Sequence, residues 1–167
     1  MPHETPRPEL SRPVRLGTIP PGGRDEAVRA TAGECAALAR RFGLPAVESV
    51  EATLRLRQET GGTVSAEGHL RADVVQSCVV TLEPVPQRID EPVSLRFVPE
   101  AEMPEEDPDG PDLIPYAGDV LDLGEAVAEQ VALALDPYPR APGAELPDLP
   151  EAAAGSPFAA LRRLRPQ

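Results

Sequence analysis

The chain has 167 residues, only 3% of them aromatic and none tryptophan, and a formal charge of −12. That length suits one domain with tails, the core must be built from Val, Leu, Ile and Ala, and the acidity excludes the broad basic face behind most non-specific nucleic-acid affinity. No apolar run approaches the roughly 20 residues that span a bilayer, and the N-terminus lacks the apolar stretch of a signal peptide, so a cytoplasmic location with no membrane contact is expected.

In chain order, residues 1–13 are Pro-rich and polar and predict a flexible tail. Val14, Leu16 and Ile19 then alternate with polar or small residues as a short edge strand would, until Pro20-Pro21-Gly22-Gly23 interrupts. Thr31 and Glu34 form the S/T-x-x-E pattern of a capping box, and Cys35, Leu38, Ala39 and Phe42 follow on one helical face. Gly43 and Pro45 stop that helix, with Arg40 and Arg41 in its last turn.

Val50, Ala52, Leu54 and Leu56 alternate with charged or polar residues, as do Val64, Ala66, Gly68, Leu70, Ala72 and Val74. The period of two with Gly61-Gly62 between predicts a hairpin. At Val74-Val75 the alternation breaks, which predicts a bulge or bend, and 78–82 reads as a short apolar strand ending at Glu83-Pro84. Val93, Leu95 and Phe97 give another strand, stopped by Pro99.

Residues 100–112 carry seven acidic residues and three prolines, the composition of a mobile acidic loop. Across 98–151, fifteen acidic residues face a single arginine, Arg140, so one half of the chain is an acidic surface. Asp122 suits an N-cap with Glu125 at N3, and Leu123, Val127, Val131 and Leu135 line one side of a second helix that ends at Asp136-Pro137. Prolines return over 137–150. Ser156-Pro157 then opens a short basic amphipathic segment, with Phe158, Leu161 and Leu164 opposite Arg162, Arg163 and Arg165.

These readings predict an α+β domain over 14–136, a small antiparallel β-sheet or partly closed barrel with two main helices, between Pro-rich flexible tails at 1–13 and 137–167. No residue set carries catalytic spacing. His69 falls on the polar side of its strand, Asp122 and Glu125 are explained as cap and first-turn residues, and neither phosphate-binding glycine motif is present. No enzyme, cofactor or metal site is expected. Cys35 and Cys78 are read as free thiols, and Cys78, Cys35, His69 and His3 lack metal-ligand spacing, so Cys78 is expected to be a small buried apolar residue.

Three blocks resemble the YceD family in the family's order: 68–84 (GHLRADVVQSCVVTLEP), 118–140 (GDVLDLGEAVAEQVALALDPYPR) and 156–165 (SPFAALRRLR). The first contains Cys78 and the Leu82-Glu83-Pro84 element, and the second the Asp122-Leu123 helix start. Many relatives carry C-x-x-C in the central segment, whereas here Thr81 stands at the second position. The resemblance implies a bacterial, non-catalytic role in accumulation of large-subunit ribosomal RNA, with ribosome assembly components as partners.

Charge then offers two ways of playing that role. The acidic half, through Glu102, Glu105, Glu106, Asp107 and Asp109, would engage a basic ribosomal protein until RNA displaces it. Alternatively Arg55, Arg57 and Arg71 on the hairpin, with Arg40, Arg41 and the terminal arginines 162, 163 and 165, would contact ribosomal RNA directly. A hydrolase or nuclease is the third and weakest reading.

Overall fold

The computed structural model describes residues 8–103 and 113–145. Its strands there are β1 (Pro13–Arg15), β2 (Arg24–Arg29), β3 (Ala46–Gln58), β4 (Val64–Ser77), β5 (Pro84–Pro99), β6 (Leu113–Tyr116) and β7 (Val120–Asp122). Two α-helices accompany them, α1 (Ala32–Phe42) and α2 (Leu123–Leu133). One sheet has the order β2-β3-β4-β5-β6, antiparallel except for the parallel β5–β6 pair, and β1 pairs with β7 in a second, two-stranded sheet. The sheet is open rather than closed into a barrel, and the fold class is α+β.

Period-two patterning builds one buried face. Leu54, Leu56, Val64, Leu70, Leu95 and Phe97 are each almost fully buried, and α1 packs against β3 while α2 packs against β1, β2, β4 and β5. Among the described residues no helix packs on the opposite face of β3, β4 and β5. Gln58 faces Val64 across the predicted Gly61-Gly62 turn, and β4 continues in register with β5 from Val64↔Phe97 to Ser77↔Pro84.

The expected break at Val74-Val75 is not in β4. Its alternation runs on, with the polar Gln76 in an inward slot, and the irregularity lies in the partner strand between Val47 and Ser49. The extra residue lets Val47 and Val50, three positions apart, both point into the core. Gln76 Nε2 donates to the Asp136 carbonyl at 2.9 Å, while its buried Oε1 has no hydrogen-bond partner among the described residues. Nearby, Gln87 donates to the Ala134 carbonyl at 2.9 Å and accepts from the Asp136 N–H at 3.1 Å, so two glutamines fasten the end of α2 to the sheet.

The 78–82 run is a turn, not a strand. Leu82 N–H bonds the Cys78 carbonyl and Cys78 N–H bonds the Glu83 carbonyl, which leaves Val79 and Leu82 exposed. The strand anticipated from Val93 begins earlier, at Pro84, and the predicted 14–19 strand shortens to β1 followed by one 3-10 turn.

α1 follows both predicted ends and α2 its predicted start, but α2 stops at Leu133, short of the expected Asp136-Pro137, so Leu135 lies beyond the helix. Thr31 accepts the Glu34 N–H while the Glu34 carboxylate accepts the Thr31 N–H, and Gly43 closes α1 in the left-handed conformation at φ 66°. Asp122 caps α2, accepting from Gly124 and Glu125 N–H at 3.0 and 3.2 Å. Gly124 is needed for a second reason: a Cβ there would lie 2.6 Å from the Leu10 carbonyl oxygen, where the N-terminal segment crosses the helix.

Candidate functional site

The outer sheet face gathers the hairpin arginines. Strand alternation puts Arg55 and Arg57 of β3 and Arg71 of β4 on one surface, and Arg29, Arg88 and Arg96 join them from β2 and β5. Cross-strand register places a carboxylate beside almost every one. Arg55 meets Asp25 at 2.9 Å, Arg71 meets Asp90 at 3.4 Å, Arg29 meets Glu51 at 3.7 Å, Arg88 meets Asp73 at 3.9 Å, and Arg96 pairs with Glu59. Among the described residues Arg57 has no ion-pair partner. His69 hydrogen-bonds Asp90, which holds that carboxyl below its ordinary range, with Arg71 adding to the effect. A shallow depression of about 110 Å³ lined by Glu51, Thr53, His69 and Arg71 marks the centre of this face.

Asp122 is a structural hub. Beyond capping α2 it accepts the Arg12 N–H at 2.8 Å and the Ser11 hydroxyl at 2.6 Å, and Leu123 N–H bonds the Arg12 carbonyl. The Asp122-Leu123 element therefore joins the N-terminal segment to α2. The two helices are joined by Arg41, whose guanidinium bridges Glu9 and Glu125 and is held charged chiefly by its bonds to Glu125.

Cys78 has no exposed surface but lies outside the main apolar cluster, under the 78–82 turn and residues 139–141. Its Sγ accepts the Val80 and Thr81 N–H groups at 3.4 Å, and bonds from the Ala141 N–H first and the Thr81 hydroxyl next bring its pKa to about 7. It is buried as expected, but in polar surroundings that favour the thiolate. Cys35, in the apolar core, is shifted the other way by burial. Leu82 adopts φ 62°, a left-handed backbone that costs a bulky residue energy, and the residue is 79% exposed. Glu83 accepts from the Thr81 hydroxyl at 3.0 Å and Pro84 opens β5. Among the described residues no three His, Cys, Asp or Glu side chains converge as metal ligands.

A groove of about 300 Å³ runs between β6 and α2, with Phe97, Leu113 and Ile114 on its apolar side and Asp122, Glu125 and Glu129 on its acidic side. Asp122 is committed to its cap and Glu125 to Arg41, whereas the Glu129 side chain is exposed. Tyr116 closes one end, donating to the Gly62 carbonyl at 2.7 Å, and burial and then the nearby Glu102 charge raise its pKa. Sequence patterning did not reveal this groove, because β6 contributes four residues whose neighbours come from β5 and α2. Of the acidic candidates Glu102 is at the groove's end, while Glu105, Glu106, Asp107 and Asp109 lie outside the described residues, as do Arg162, Arg163 and Arg165.

Among the described residues, shallow grooves along strand edges are the concave features of a small α+β protein. The chain belongs to the YceD family: the model of the large ribosomal RNA subunit accumulation protein YceD matches residues 66–165. The match takes in β4, β5 and α2, with the Cys78 turn and the Asp122 cap. No curated protein and no solved structure matches the chain. No helix among the described residues is long and apolar enough to cross a membrane.

Proposed function

We propose that this protein supports large-subunit ribosomal RNA accumulation without catalysis, by holding a basic segment of a ribosomal protein or assembly factor in the groove between β6 and α2. The observation that carries this reading is the pairing of an apolar wall, Phe97, Leu113 and Ile114, with the exposed carboxylate of Glu129, at the end of a segment that is acidic throughout 100–112. Such a surface suits a lysine- or arginine-rich chain with intervening apolar residues, neutralising it before it meets RNA. Pro115 removes one backbone donor from β6, so the segment would be held by its side chains more than by strand addition.

The arginine face supports direct RNA binding less well. Its guanidinium groups are interleaved with carboxylates that repel phosphate, and among the described residues no aromatic side chain lies among them for base stacking. Arg57 favours a local contact, which remains the second reading.

Neutralising Glu102, Glu105, Glu106, Asp107 and Asp109 together tests the proposal. The expected result is weaker copurification of a basic large-subunit protein and a flatter salt dependence, with the melting temperature unchanged. Unchanged copurification in this variant, together with lost ribosomal RNA binding after replacing Arg162, Arg163 and Arg165, would favour the RNA reading instead.

A further inference from the structure

The two outer strands of the main sheet are treated differently. β6 carries Pro115, and the stretch of β5 that β6 leaves uncovered carries Pro84, Pro86 and Pro92, residues that blunt an edge by removing backbone donors. β2, Arg24-Asp25-Glu26-Ala27-Val28-Arg29, contains no proline. The direction of its backbone groups follows from the ladder. Ala30 N–H bonds the Val50 carbonyl beside the Arg29↔Glu51 pair, so that pair is a non-hydrogen-bonded one, and the N–H and C=O groups of Arg29, Ala27 and Asp25 point away from β3. Among the described residues the Arg29 carbonyl has one partner, the Arg12 guanidinium at 2.6 Å, and nothing bonds the outward groups of Ala27.

That edge opens onto a cleft of about 420 Å³ between β2 and β1. Val14, Val28 and Leu123, all at least nine-tenths buried, form its floor, and Arg15 and Arg24, with side chains 74% and 43% exposed, stand at its rim. Among the described residues Arg15 pairs only with Asp119, at 3.9 Å, a solvent-exposed contact of little strength, so a closer carboxylate would displace it. Arg24 forms an ion pair with Glu26, the one carboxylate among the described residues that lines the cleft.

We propose that β2 accepts an extended polypeptide segment as an added strand, and that acidic side chains on that segment are read by Arg15 and Arg24. The open backbone groups supply the affinity, the apolar floor receives every second side chain, and the arginines set the charge preference. RNA fits less well, because a phosphate chain has no use for paired N–H and C=O groups. This cleft lies at the opposite edge of the sheet from the acidic groove and does not depend on it.

The test uses the full chain and a fluorescein-labelled decapeptide alternating valine and glutamate, read by anisotropy at low salt and by amide hydrogen exchange. The expected result is saturable binding with slowed exchange at Ala27, weakened about tenfold or more by Arg15→Glu with Arg24→Glu. Ala27→Pro should abolish binding without unfolding, since that N–H lies outside the β3 ladder, and an unchanged melting temperature would confirm the fold. If that variant unfolds, the arginine pair and the exchange pattern decide. Equal binding of a valine–lysine decapeptide or of a single-stranded RNA 12-mer, binding with no protection at Ala27, no binding at all, or β2-mediated self-association that excludes the peptide would each overturn it.

Discussion

Arg41, in the last turn of α1, grips Glu125, in the first turn of α2, through two hydrogen bonds of 2.8 and 2.6 Å. The pair does two jobs at once. It satisfies the charge preference of both helix ends, and it withdraws Glu125 from the groove beside β6, leaving Glu129 as the available carboxylate there. Arg41→Ala should cost about 1 kcal/mol in a urea titration, because the pair is bidentate but partly exposed. Glu125→Gln with Arg41→Gln should recover part of that loss, which a double-mutant cycle would measure.

Acid should loosen the N-terminal half of the fold. The Arg12 guanidinium, followed by the Thr31 N–H, holds the Glu34 carboxyl at about 2, below its ordinary 4.5. A carboxyl whose folded pKa is depressed stabilises the fold fully above its unfolded value, and that contribution is lost as the pH falls from about 4.5 to about 2. Glu34→Gln should therefore lower stability at pH 7 by about 1–2 kcal/mol and flatten the pH dependence of the melting temperature in that window.

The two cysteines should separate on titration. Thiolate absorbance at 240 nm should rise with a midpoint near 7 for Cys78 in the folded protein, and that rise should vanish in Cys78→Ala, while Cys35 ionises only at higher pH. The sign of the linked stability also follows. With the folded pKa at about 7 and the ordinary value at 9.0, Cys78 stabilises the fold above pH 9, and that contribution disappears as the pH falls through 7. Cys78→Ala should remove this slope.

Val131 is fully buried on the inner side of α2 and Glu129 is exposed on the same helix. Val131→Asp should destabilise the domain by at least about 3 kcal/mol, since it places a carboxyl among apolar side chains, whereas Glu129→Gln should leave the melting temperature within error. Thermal melts of the two variants side by side check this.

Local chemistry wrote some elements into the sequence and long-range pairing wrote the others. Thr31, Glu34 and Gly43 bound α1 by themselves, Asp122 starts α2, and the alternation on either side of Gly61-Gly62 needs no distant partner to make a hairpin. β2 was missed because only Val28 of its six residues is buried, so there is no alternation to see. β6 and β7 were missed because three or four residues carry too little pattern, and their pairing depends on β5 and β1. The 78–82 run looked like a strand because its side chains are apolar, but it turns back at Leu82, leaving Val79 and Leu82 exposed.

The same division holds for the surfaces. Period-two alternation put Arg55, Arg57 and Arg71 on one polar face, yet the neutralisation of Arg55 by Asp25 and Arg71 by Asp90 is set by strand register, which alternation alone does not specify. Asp122 could be read as a cap. Its bonds to Ser11 and Arg12, more than a hundred residues away, could not.

The most direct measurement of the central claim is affinity purification of the tagged full chain and of an Ile114→Asp/Glu129→Arg variant, each before and after RNase, with bound proteins identified by mass spectrometry. These two substitutions alter the apolar and the acidic side of the β6–α2 groove on exposed or half-buried positions. The account predicts that a basic large-subunit ribosomal protein or assembly factor stays with the wild-type chain after RNase and is reduced about tenfold or more in the variant. Loss of every ribosomal component on RNase treatment, with no difference between wild type and variant beforehand, would contradict it.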